Sequence, residues 1–194
     1  MNKFLCLVAL LFTGAANATI ISGDFRNEAD LPYCCSTQGP LVYENLNASV
    51  GAGNELDSSN LLSNDSGWSG GLVLVDLDPT TNIVTLNSQD DLDFEIFTAS
   101  ISNIVFDAAE TITGLSWISG NITDIAIDEV LSFTANSIQI GYDGLGSDIF
   151  NFNLTQAQFQ IETQTDSVAV PAPASILLLS LGILALVGRK KANA

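Results

Sequence analysis

Asp91, Asp93 and Glu95 alternate with Leu92 and Phe94 in the densest run of carboxylates in the chain. On an extended strand, alternate side chains share a face and stand roughly 6–7 Å apart. Carboxylates at that spacing suit calcium ligation or an acid–base pair for glycoside hydrolysis. The simpler reading is a solvated strand face, because alternating acidic and apolar residues mark one wet side and one buried side. A hydrolase also needs one acid whose pKa is raised by an apolar pocket, and no neighbouring residue marks one. Asp143-Gly144-Leu145-Gly146-Ser147-Asp148 sets two more carboxylates around a glycine-rich segment. A hairpin loop accounts for it, and calcium is the cofactor that its oxygens would suit. Asp57, Asp65, Asp76 and Asp78 are further oxygen donors in expected loops.

Two tryptophans invite a sugar-stacking reading. Trp68 stands among Ser66, Gly67, Ser69, Gly70 and Gly71, where a lid over a core is the commoner use. Trp117 lies within an expected strand between Leu115 and Ser119, and is read as a core side chain. Cys34 and Cys35 are adjacent, and the ring that would join them strains the intervening peptide. In an oxidising compartment the choices are a vicinal disulfide, pairing with another chain, or two buried thiols. The spacing is not that of a redox motif.

Absences narrow the chemistry further. The chain of 194 residues contains no histidine, which excludes a Ser-His-Asp triad, a Cys-His pair and zinc sites built on imidazole. Lysine occurs only at Lys3, Lys190 and Lys191, so residues 19–169 offer no Schiff-base or Ser-Lys chemistry. All 22 acidic residues fall in that body and Arg26 is its one basic residue, which gives it a formal charge of −21. Such a surface repels nucleic acid and anionic lipid and attracts divalent cations. Patterned Val, Ile, Leu and Phe argue against disorder despite the charge.

The elements that must position these residues are strands. Apolar residues recur with period two, and the spacers are rich in Gly, Asn, Ser, Asp and Thr. Expected strands are Pro40–Glu44, Gly71–Leu77, Asn82–Leu86, Leu92–Thr98, Ile101–Phe106 and Thr113–Ser119. Asn121–Ile127, Val130–Thr134, Ser137–Tyr142 and a long Ile149–Glu162 follow, the last changing phase near Gln156. Turns are expected at Asp78–Asn82, Ser119–Asn121 and Asp143–Gly146, and a long polar loop over Asn47–Ser66. The pattern predicts an all-β chain: an antiparallel β-sandwich of jelly-roll kind over residues 19–165.

The two ends carry sorting information. Lys3, the apolar run Phe4–Phe12 and Ala16-Asn17-Ala18 have the order of a secretory signal peptide cleaved after Ala18, spanning residues 1–18. Residues 166–173 read as a linker and processing motif, and 174–191 as a single transmembrane helix with a basic tail. Ala174 to Gly188 is fifteen residues without a charge, about 22 Å as a helix against a hydrocarbon core of about 30 Å. Arg189, Lys190 and Lys191 would snorkel to the headgroups and hold that end in the cytoplasm. Pro171 and Pro173 keep Val170–Ser175 extended and open to a peptidase.

This order of Val170-Pro171-Ala172-Pro173-Ala174-Ser175, apolar span and basic cluster resembles the PEP-CTERM signal of Gram-negative bacteria. Ala172 stands where that motif usually carries Glu. The resemblance covers about residues 168–191 and implies an exosortase-type membrane peptidase as partner. It further implies export, a transient inner-membrane anchor, and release or transfer to the cell surface. Proteins with similar signals are associated with exopolysaccharide and biofilm matrix, so a non-enzymatic surface or matrix role is the leading expectation. The alternatives are a calcium-assisted carbohydrate-binding sandwich and a carboxylate-only glycoside hydrolase.

Overall fold

The computed structural model describes residues 19–30, 40–65, 71–89, 96–120, 131–143 and 156–165. These fold into two antiparallel sheets packed face to face, which is the β-sandwich that the alternation predicts. In chain order the strands are β1 (Ile20–Asp30), β2 (Leu41–Ser49), β3 (Leu61–Asn64), β4 (Val73–Asp78) and β5 (Ile83–Ser88). Then come β6 (Ile96–Phe106), β7 (Glu110–Gly120), β8 (Leu131–Thr134), β9 (Ser137–Asp143) and β10 (Gln156–Thr165). One sheet has six strands in the order β3-β2-β1-β6-β9-β8, and the other has four in the order β4-β5-β10-β7.

The core fills the space between the sheets. Phe25, Phe97, Ile101 and Ile140 project from the larger sheet, and Val75, Leu86, Phe159 and Ile161 from the smaller. Phe25, Phe97 and Phe159 are completely buried. Truncating any of them to Ala would leave a cavity costing about 3–5 kcal/mol. Polar residues are buried as well, among them Asn27 and Ser88. Asn27 is 3% exposed, and its amide donates to the carbonyl of Val73, tying β1 across to β4.

The structure corrects several sequence expectations. The central strand of the larger sheet is β1, paired with β2 on one side and β6 on the other, in a stretch where no strand is predicted. Its inward positions are Gly23, Phe25, Asn27 and Ala29, so only half of them read as clearly apolar. The expected strands Leu92–Thr98 and Ile101–Phe106 meet in one strand, β6. No turn residue separates them, and Phe97, Ala99 and Ile101 keep a single inward phase. The expected loop Asn47–Ser66 holds the end of β2, a short 3-10 turn at Ser58–Asn60 and the edge strand β3. Period-two alternation was too short there to mark a strand.

Trp117 is the clearest reversal. It pairs with Phe159 yet is 43% exposed, because β7 lies last in the order of its sheet and is bulged on both sides of this position. The core reading of Trp117 is therefore wrong: strand position set its environment, and alternation alone does not show which strand is outermost.

Other expectations hold. The Asp78–Asn82 turn is present: the Asp78 carboxylate accepts from Thr80 N–H at 2.8 Å and Thr81 Oγ1 at 2.7 Å. Ala157, Phe159 and Ile161 carry the buried side of β10. At the end of β7, Gly120 has φ +124°, and a Cβ there would run into the carbonyl of Gln156 and the Cα of Ala157. No helix among the described residues is long and apolar enough to cross a membrane.

Candidate functional site

Most residues singled out for chemistry lie outside the described residues. These are Asp91, Asp93, Glu95 and Asp148, Cys34 and Cys35, and Trp68. The same holds for Ala16 and Ala18 at the expected signal cleavage point. It holds too for Val170, Pro171, Ala172, Pro173, Ala174, Ser175, Arg189, Lys190 and Lys191 of the expected sorting tail. Asp143 ends β9, opposite Ile96.

The loop carboxylates that are described serve local structure. Asp57 caps the 3-10 turn, accepting from Ser59 N–H at 2.7 Å and Ser59 Oγ at 2.6 Å. Asp78 closes the β4–β5 turn as above. Hydrogen bonds from these hydroxyls hold both carboxyls below the usual carboxylate range. Among the described residues, no three acidic, cysteine or histidine side chains converge as a metal site would need.

Sequence reading missed Glu55, which is 5% exposed. Its Oε1 accepts from Gly51 N–H at 3.0 Å and its Oε2 from Leu77 N–H at 2.8 Å. Leu56 beside it exchanges backbone bonds with Val75, so residues 55 and 56 run along the edge of β4 and cover it. Burial raises the pKa of Glu55, and nearby Asp76 adds repulsion against the two backbone bonds. Burial also raises Asp76, with Asp78 adding repulsion. A raised carboxyl is what a glycosidase acid needs, but both oxygens of Glu55 are engaged by backbone donors. Gly51 and Gly53 in a polar run were the only sequence sign of a tight turn there.

A second feature that sequence reading missed is a bulge shared by three strands. Register shifts at Ser22–Phe25 of β1 set Asp24 between Asn47 of β2 and Asn103 of β6. Its carboxylate accepts from Asn47 N–H and from Asn103 Nδ2, each at 2.7 Å. Both asparagines have positive φ, 54° and 51°, a conformation asparagine adopts more readily than most residues. The Asn103 amide, then the Asn47 backbone, hold the Asp24 carboxyl low. This clip increases the local bend of the sheet whose outer face carries the groove described next.

The outer face of the six-stranded sheet divides into two chemistries. Strand register aligns Glu44, Arg26, Ser100, Gln139 and Ser132 in one row across β2, β1, β6, β9 and β8. The β2–β1 part is ionic: Arg26 Nη1 donates to Glu44 at 2.9 Å and Nη2 to Glu28 at 3.2 Å. The β6–β9–β8 part is uncharged. A groove of about 380 Å³ lies there, lined by Ser100, Ser102, Ser132, Thr134, Ser137 and Gln139, with Phe133 and Ile138. Thr134 Oγ1 and Ser137 Oγ share a 2.6 Å hydrogen bond. Among the described residues, the side chains of Ser100, Ser102, Ser132 and Gln139 have no hydrogen-bond partner. Phe133 is 46% exposed, but it pairs with the buried Ile138, so its ring projects from the opposite, inward face of this edge strand.

Beside Gln139 the face is low. Gly141 sits so close that a Cβ there would meet Gln139 Nε2 at 3.0 Å and Thr98 Oγ1 at 3.3 Å. The arrangement can hydrogen-bond; it places no acid, base or nucleophile–base pair in the groove. No family model matches the chain, and neither curated proteins nor solved structures yield a significant match.

Proposed function

We propose that this chain is an exported, non-catalytic protein of the cell surface or extracellular matrix, whose β-sandwich, of jelly-roll kind, is the working part. On this reading an N-terminal signal peptide directs export. A short C-terminal helix holds the chain in the inner membrane until an exosortase-type peptidase cuts near Pro171–Ser175. The observation that carries the non-catalytic reading is the groove on the β6–β9–β8 face, whose outward side chains are hydroxyls and a carboxamide. Groups of these kinds hold a ligand by hydrogen bonds without transferring a proton at neutral pH. The repeated passage of the chain between the two sheets supports the jelly-roll winding.

Cell fractionation in a strain with and without the peptidase tests the route. Wild-type cells are expected to carry the body at the surface or in the medium, and the deletion strain to retain the full-length chain in the inner membrane. Full-length, membrane-bound protein in both strains would overturn the proposal.

A further inference from the structure

We infer that the groove between β6, β9 and β8 binds a neutral polysaccharide, without calcium; this rests on the reading of the chain as a surface or matrix protein. The first argument is charge. The chain carries 22 acidic residues and a net charge of −17, yet no charged side chain lines the groove. An anionic polymer would approach against the field of the whole molecule, and the groove offers it no cation. The one nearby cation, Arg26, is already held by Glu28 and Glu44. A neutral chain meets no such barrier.

The second argument is the kind and spacing of the groups. Ser100, Gln139 and Ser132 form a row across three strands, about 4.8 Å from one to the next. Ser102 lies two residues beyond Ser100 on the same face, roughly 6–7 Å along the strand. None of these four side chains has a hydrogen-bond partner among the described residues. A sugar hydroxyl both donates and accepts, and so matches hydroxyl and carboxamide groups that do the same. No carboxylate stands in the groove to hold calcium, so a chelator should leave binding intact.

Affinity electrophoresis of the full chain, solubilised in detergent, tests this in native gels cast with hydroxyethylcellulose, galactomannan, dextran or alginate. Retardation is expected in at least one of the three neutral gels, unchanged by EDTA. The double variant S100A/Q139A should weaken it about ten-fold or more, since it removes two neighbouring hydrogen-bonding groups of the row together. N87A, on the other sheet, should leave it unchanged. Thermal melting of each variant shows that the fold is kept, and Q139A alone, at an exposed position, serves if the double variant melts early. The inference is overturned by no retardation in every neutral gel, by retardation in alginate alone, by loss of retardation in EDTA, or by full retardation of a folded S100A/Q139A. A chain that is processed and surface-exposed but binds no neutral gel sinks the groove alone. A chain kept full-length in the membrane sinks the functional reading and leaves the gel result standing.

Discussion

Asn27 is a polar side chain that the core has to accommodate. Its amide reaches from β1 to the Val73 carbonyl of the opposite sheet, and a buried amide without that bond would be costly. Asn27→Ala is expected to destabilise the chain by about 1–3 kcal/mol, by leaving the Val73 carbonyl short of a donor. Chemical denaturation measures it, and an unchanged midpoint would show that the cross-sheet bond contributes nothing. Glu55 makes a prediction of opposite kind. Burial lifts its pKa above the ordinary 4.5, so the folded state holds that proton more tightly than the unfolded chain. Its contribution is fully present below the unfolded pKa and is lost as pH rises through the folded one. Asp24, Asp57 and Asp78 have lowered pKa values. Their contribution is present above the unfolded value and is lost as pH falls through the folded ones. Melting temperature against pH should therefore decline on the alkaline side of pH 4.5 through a Glu55 step that E55Q removes. E55Q should also cost about 1–3 kcal/mol near neutrality, because an amide NH2 replaces one acceptor of two backbone N–H groups. An identical pH profile in E55Q would contradict the assignment.

At the scale of elements, legibility followed the alternation and failed where the alternation was interrupted. β4, β5, β9 and β10 announce themselves through Val73/Val75/Leu77, Val84/Leu86, Ile138/Ile140 and Ala157/Phe159/Ile161. β1 does not, because a glycine and an asparagine occupy inward positions and the phase changes between Ile20 and Gly23. The groove was hidden for a related reason. Ser100, Gln139 and Ser132 are far apart in sequence, and only the order β6-β9-β8 brings them into a row. The same dependence on order decides the aromatics. Phe159→Ala, on a strand between β5 and β7, should cost about 3–5 kcal/mol. Trp117→Ala, opposite it on β7 and 43% exposed, should cost no more than about 1–2 kcal/mol despite the larger ring. Equal losses in denaturation midpoint would place Trp117 back in the core.

The whole molecule is defined by its charge and its ends. With all 22 acids between Asp24 and Asp166 and Arg26 the one basic residue among them, self-repulsion opposes the compact state, and a cation bound only by the folded chain relieves it. Melting is expected to shift upward in calcium relative to EDTA at matched ionic strength, and coincident curves would exclude specific cation binding. The acidic balance, the absence of histidine and the proline, apolar and basic segments of the C-terminal tail are all plain in the sequence, since they need no fold to be read.

The central claim is that the chain is exported, cut at both ends and released as a working β-sandwich. Intact mass and C-terminal peptide mapping of the protein from its native cells test this most directly. The account predicts a mature chain that begins at Thr19 and ends within Val170–Ser175. A mature chain still ending in Arg189-Lys190-Lys191-Ala192-Asn193-Ala194 would contradict it.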